Sequence, residues 1–219
     1  ITGGASGIGE AIAHTYTQEG CKCLLVDIDS GRLDRVVKEI AAEGGDCFGT
    51  VADVVEEDCV MAFFKQAFDR WGHIDLLVNS AGRDALSPPV AEVTLEEWSK
   101  TIGPNLTGVF LCCREAFRYM EKQESGGRIM NIGSSSAKVA SSPGHSPYRD
   151  SKHGMMGFSK HILLEGVGTN IGVTVINPSH VKTPMPEIID QGVYEGDNTS
   201  EIDCCLTERG RTEGLNARG

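Results

Sequence analysis

The sequence predicts an α/β protein, a doubly wound parallel sheet flanked by helices in three layers (α/β/α). Two observations carry this. Apolar strand-like runs ending near Asp27, Val51, Val78, Ile132 and Ile176 alternate with helical stretches over 32–43, 56–71, 95–122 and 147–166. Such alternation implies right-handed βαβ crossovers, with helices covering both faces of one sheet. The runs Leu76-Leu77-Val78 and Val173-Thr174-Val175-Ile176 are also unbroken, as in central strands buried on both faces. Glycines at 44–45, 72, 126–127 and 168 stand where the helices should stop.

The chain opens with Thr2-Gly3-Gly4-Ala5-Ser6-Gly7-Ile8-Gly9. Glycines at 3, 7 and 9 permit a tight turn and a close approach of backbone to a ligand. Residues 10–19 follow as a helix, with Ile8, Ala11, Ile12 and Tyr16 on one face. Backbone N–H groups at a helix start, together with the helix dipole, suit a pyrophosphate. The next run, Cys23-Leu24-Leu25-Val26, ends in Asp27, about twenty residues past the glycines. A dinucleotide fold places its ribose-binding carboxylate there. Loop, helix, strand and acid in that order argue against a flexible linker.

Tyr148-Arg-Asp-Ser-Lys152 puts a phenol and an ammonium one helical turn apart. A free phenol titrates near ~10, and a neighbouring ammonium is expected to draw that value down. The pair is then suited to passing a proton to or from an alcohol oxygen. Asp150 points to another face of the same helix.

These residues, in this order, resemble the classical short-chain dehydrogenase/reductase family, from residue 1 to about residue 186. The loop from Thr2 to Gly9 resembles its cofactor loop, and Asp53-Val54 its adenine-contacting pair. Asn79-Ser80-Ala81-Gly82 resembles an Asn-Asn-Ala-Gly segment, with Ser80 replacing the second asparagine. Asn105, a serine after the fifth strand, Tyr148 and Lys152 resemble its catalytic set. Asn177-Pro178-Ser179-His180-Val181-Lys182-Thr183 resembles a nicotinamide-contacting Pro-Gly segment, with Ser179 replacing glycine. The resemblance implies a Rossmann-like fold and hydride transfer between a secondary alcohol or ketone and NAD or NADP. Tyr148 would be the general acid/base, supported by Lys152, which would also hold the nicotinamide ribose. The serine would hold the substrate oxygen, and Asn105 a water linking Lys152 to solvent. Cofactor contacts are implied at Gly3, Ser6, Gly7, Ile8, Gly9, Asp27, Ile28, Asp53, Val54, Asn79, Ala81, Gly82, Tyr148, Lys152, Pro178, Ser179, Val181 and Thr183. The strand text Ile129-Met130-Asn131-Ile132-Gly133 selects Ser134 as the catalytic serine, whereas counting back from Tyr148 selects Ser135. An extra residue near Ser141-Ser142 would reconcile them, and the strand anchor favours Ser134. Asp27 can accept both ribose hydroxyls of NAD and would repel a 2′-phosphate, so NAD is expected over NADP. Pro104, just before Asn105, removes a backbone donor and is expected to disturb the helix there.

At 219 residues and 40% hydrophobic composition the chain reads as a single domain. A net formal charge of −11 argues against nucleic acid or an anionic membrane as the partner, and no apolar run reaches the ~18 residues of a membrane span. Eight cysteines without Cys-x-x-Cys spacing suit a reducing, cytoplasmic setting. The histidines show no ligand pair, and no metal is expected. The resemblance adds a homo-dimer or homo-tetramer, with part of helix 147–166 facing a second subunit. Two ends depart from the pattern. Only Ile1 and Thr2 stand where a first, central strand belongs, so its neighbours are expected to lack pairing. Residues 195–219 read as an atypical, disordered tail with no final strand. Residues 185–193 are expected to form part of a substrate lid. Two other functions stay open: a dinucleotide-binding sensor or scaffold without turnover, and a dehydratase or epimerase on the same scaffold.

Overall fold

A computed structural model describes residues 1–84, 87–137, 146–179, 181 and 183. The expected lid at 185–193, the tail and Ser141-Ser142 lie outside the described residues, as do His180 and Lys182. Among the described residues, five strands and six α-helices follow in order: α1 (Gly7–Gln18), β1 (Cys23–Asp27), α2 (Ser30–Ala42), β2 (Cys47–Val51), α3 (Glu57–Trp71), β3 (Leu76–Asn79), α4 (Leu95–Ile102), α5 (Gly108–Met120), β4 (Gly127–Ile132), α6 (Ser146–Glu165) and β5 (Ile171–Ile176). The strands are parallel, β1 pairing with β2 and β4 lying between β3 and β5.

The two groups of strands meet at Thr2. It bridges Val26 on one side and Asn79 on the other. Its N–H donates to the Val78 carbonyl at 2.9 Å, while the Ile1 carbonyl accepts from Val26 at 2.9 Å. Thr2 Oγ1 also accepts from the N–H groups of Ser80 and Ala81, each at 3.2 Å. The expectation that the neighbours lack pairing is corrected at Thr2 alone: apart from its isolated bridges, β1–β2 and β3–β4–β5 form separate sheets.

Strand β1 shows how both faces are used. Leu24 and Val26 join an apolar core with α3, α5 and α6, whereas Cys23 and Leu25 join a second core with α1 and α2. Side chains alternate across a strand, so these cores lie on opposite faces of the sheet. That is the three-layer arrangement expected.

Two helices differ from expectation. Helix α1 begins at Gly7, inside the glycine loop rather than at residue 10, and buries Gly9, Ala13 and Thr17, with Tyr16 partly buried against the core it shares with α2. The small face wins because a Cβ on Gly9 would lie 2.1 Å from the Gly3 carbonyl oxygen. The helix sits on loop backbone, and only hydrogen fits there. The stretch 95–122 is not one helix. Helix α4 starts at a Thr94/Glu97 capping box, and a π-helical turn over Gly103–Thr107 separates it from α5. Pro104 has no N–H to continue the α ladder, so one extra residue is accommodated and Gly108 N–H reaches back to Gly103.

Candidate active site

A cleft of about 960 Å³ opens where β1, β3, β4 and β5 end. In open parallel sheets the crevice beyond the strand ends is where ligands bind. Its first wall is the glycine loop. Ser6 makes no side-chain cap to α1, and Ser6, Gly7 and Ile8 at the helix start line the cleft wall. Gly3 and Gly7 take φ of 63° and 55°, the left-handed region in which a side chain is strained. Asp27 closes this wall. Its Oδ2 accepts from Ala5 N–H at 3.2 Å and its Oδ1 from Asp29 N–H at 3.1 Å, so the loop and the carboxylate hold each other. Ile28, Asp53 and Val54 line the adjoining surface. A helix start lining the cleft beside a fixed carboxylate suits the pyrophosphate and ribose of a dinucleotide.

The second wall carries the chemistry. Tyr148 and Lys152 lie one turn apart on α6 and line the cleft with Ser134, Ala81 and Gly82. Ser134 shares a hydrogen bond with Tyr148, whereas Ser135 is exposed and does not line the cleft. The strand anchor thus picked the serine that meets the phenol, and the loop count did not. Pro178, Ser179, Val181 and Thr183 complete this end.

The protonation expectation is corrected. Burial raises the Tyr148 phenol above its ordinary value; the Ser134 hydrogen bond lowers it and the Asp84 charge raises it further. Burial also depresses the Lys152 ammonium to about 8, against an opposing pull from Asp84. Lys152 Nζ donates to the Ile132 carbonyl at 2.8 Å and stands 5.7 Å from the Tyr148 ring centre. Desolvation therefore sets the direction of the phenol's shift, opposite to that expected from a neighbouring ammonium.

Three expected residues do not line the cleft. Gly9 packs under the loop. Asn79 turns into the core, where its Nδ2 donates to Asn131 Oδ1 at 2.8 Å and to Cys113 Sγ at 3.3 Å. Asn105, fully buried, braces three segments instead. Its Oδ1 accepts Arg83 N–H at 2.7 Å, and its Nδ2 donates to the Arg83 carbonyl at 2.9 Å and to Ser151 Oγ at 3.0 Å. Ser151 in turn donates to the Tyr148 carbonyl at 2.5 Å. The Asn105 side chain is committed to protein, and it ties the π-turn to the helix bearing Tyr148. Sequence reasoning missed Ser151, Arg83 and Asp84. Ser151 was readable only as the residue before Lys152, while Arg83 and Asp84 follow the Ala81-Gly82 pair and line the same cleft.

The fold and cleft define a dinucleotide-binding α/β enzyme. A family described as short chain dehydrogenase matches residues 1–193. The 3-oxoacyl-(acyl-carrier-protein) reductase FabG of Thermotoga maritima is 36% identical over 197 residues, covering 89% of this chain and 78% of that protein. Crystal structures agree. A variant actinorhodin polyketide ketoreductase with NADPH has a TM-score of 0.80 at 34% identity, covering 84% of this chain and 70% of that one. A short-chain dehydrogenase/reductase from Burkholderia phymatum in complex with NAD has a TM-score of 0.81 at 29% identity, covering 84% and 66%. The chain belongs to the short-chain dehydrogenase family. It is an NAD(P)-dependent oxidoreductase that interconverts hydroxyl and carbonyl groups.

Proposed function

We propose that Tyr148 is the general acid/base of this oxidoreductase, that Ser134 holds the substrate oxygen, and that NAD is preferred over NADP. The meeting of Ser134, Tyr148 and Lys152 on one cleft wall, opposite the glycine loop, carries this reading. The bound nicotinamide supplies the hydride acceptor or donor. The chain's own part is proton transfer and position. In alcohol oxidation Tyr148 takes the hydroxyl proton while Ser134 keeps the oxygen within hydrogen-bond reach. In ketone reduction Tyr148 returns that proton. Lys152, when protonated, stabilises the phenolate and offers a donor to the cofactor ribose.

Because Tyr148 lies above its ordinary range, the base form grows with rising pH. Alcohol oxidation should therefore accelerate through neutral into alkaline pH. Ketone reduction needs the phenol and should fall at the alkaline end. Absorbance of the reduced nicotinamide, followed with a panel of secondary alcohols and ketones, tests this. Tyr148→Phe should lower turnover by about 10²–10⁴-fold and leave cofactor affinity nearly unchanged. Full turnover in Tyr148→Phe would sink the reading, and binding with no turnover in the parent would favour a sensor or scaffold.

The cofactor preference rests on two fixed acids. A 2′-phosphate beside Asp27 would also approach Asp29, whose Oδ2 lies 3.3 Å from Arg32 Nε. The Arg32 guanidinium is thus largely offset, and a dianion finds net repulsion. NAD should bind at least about tenfold more tightly, ~1.4 kcal/mol; equal or tighter NADP binding by titration would refute it. A homo-oligomer through α5 and α6 is supported by Phe110, 41% exposed and edge-on to Phe158 at 6.0 Å. Light scattering of Phe110→Glu should then show a smaller species than the parent chain.

A further inference from the structure

We propose that Asn177 is a positioning residue for Ser134: its amide oxygen holds the Ser134 backbone N–H and so sets where the serine hydroxyl stands against Tyr148. The inference rests on the reading of Ser134 and Tyr148 given above. Asn177 is the first residue past β5 and is buried. Three successive N–H groups leaving β4 are taken by three successive residues leaving β5. Gly133 donates to the Ile176 carbonyl at 2.6 Å and Ser135 to the Pro178 carbonyl at 2.9 Å. Between them, Ser134 N–H has the Asn177 side chain as acceptor, Oδ1 at 3.2 Å. A backbone ladder serves the outer two, and a side chain serves the residue that carries the hydroxyl.

Two features show that the site is shaped around this amide. A Cβ on Gly133 would stand 2.1 Å from Asn177 Oδ1, so the glycine keeps open the space the amide fills. Asn177 Nδ2 is buried with no hydrogen-bond partner among the described residues. An unsatisfied buried donor destabilises the fold, so an apolar side chain would serve better if filling space were the only task. The next two residues, Pro178 and Ser179, line the cleft. The same short segment therefore anchors the serine and forms the cofactor-side wall, and Asn177 keeps the two in register.

The full chain, with ethyl acetoacetate and cyclohexanol as probe substrates, decides this. Asn177→Ala removes the acceptor. It should lower kcat roughly 10- to 100-fold, the scale of a small misplacement at a reacting centre, with cofactor Kd and substrate KM within about threefold. The ionisation seen in the pH profile of kcat/KM should move upward, because the phenolate loses a well-placed hydroxyl donor. Asn177→Asp keeps the acceptor and should recover most of the turnover. Introduced into Ser134→Ala, Asn177→Ala should add less than about a twofold loss, since it acts only through that serine. Should Asn177→Ala fail to fold by circular dichroism, Asn177→Ser, too short to reach Ser134 N–H, takes its place in the same cycle. Full turnover in Asn177→Ala, or an equal fractional loss with and without Ser134, overturns the proposal alone. Full turnover in Ser134→Ala overturns the serine's assigned role, and the proposal with it.

Discussion

The two walls of the cleft are built on opposite plans. The glycine-loop wall is nearly local. Loop, helix, strand and acid lie within residues 2–27, and its key bond joins Ala5 to Asp27. The catalytic wall is assembled at a distance. Ser134 is held by Asn177 and Asn105 by Ser151, bringing together segments 43 and 46 residues apart. The first wall depends on residues without side chains, because backbone must approach backbone and ligand. The second depends on buried polar side chains, because orientation there comes from directional bonds that are costly to leave unmade. The comparison teaches that a binding surface can be made by removing atoms, whereas a catalytic one needs groups held from several directions.

Breaking the distant wall should have the largest effect. Asn105→Ala removes three hydrogen bonds and leaves Arg83 N–H, its carbonyl and Ser151 short of a partner. A loss of about 3 kcal/mol in urea unfolding is expected, with turnover falling more than cofactor affinity. A loss below about 0.5 kcal/mol would show that the brace is dispensable.

Gly9→Ala tests the near wall, and there the sign is decisive. Helix propensity alone predicts a gain of about 1 kcal/mol. The contact of the added methyl with Gly3 backbone predicts a loss of about 1–3 kcal/mol, with weakened NAD binding. Denaturant midpoints and a cofactor titration distinguish the two; a stabilised, cofactor-competent variant would refute close helix–loop packing as the reason for glycine.

Lys152→Met sharpens the comparison with the smallest effect on stability. A shift from 10.5 to about 8 means that burial disfavours the ammonium, by ~3 kcal/mol. Loss of the bond to Ile132 takes back about 1–3 kcal/mol. A net gain in stability on the order of 1 kcal/mol is expected at pH 7, with turnover abolished. The sign follows from linkage. The unfolded lysine binds more protons than the folded one between pH 8 and 10.5, so the parent gains stability as pH rises through that window. The methionine variant gains none from this group. Its advantage should shrink across those pH values in thermal melts, and a constant difference would rule out lysine burial as the cause.

What the chain text determined was whatever depends on near neighbours. Strand and helix order follows from hydrophobic period. The turn at Gly3–Gly9, the acid at Asp27 and the Tyr148–Lys152 pair are short-range patterns, and Ser134 was legible because a strand end sits two residues before it. Tertiary structure alone decided the rest. It turned α1 onto Gly9, Ala13 and Thr17, drew Asn79 and Asn105 away from the cleft, brought Asn177 to Ser134, and reversed the expected direction of the Tyr148 shift. The reason is common to all four. Each depends on which groups remain in water and which remote atoms take their place, and that is fixed only when β1, β3, β4, β5 and α6 come together. Spacing along a chain records which side chains can be neighbours; burial decides how much their meeting is worth.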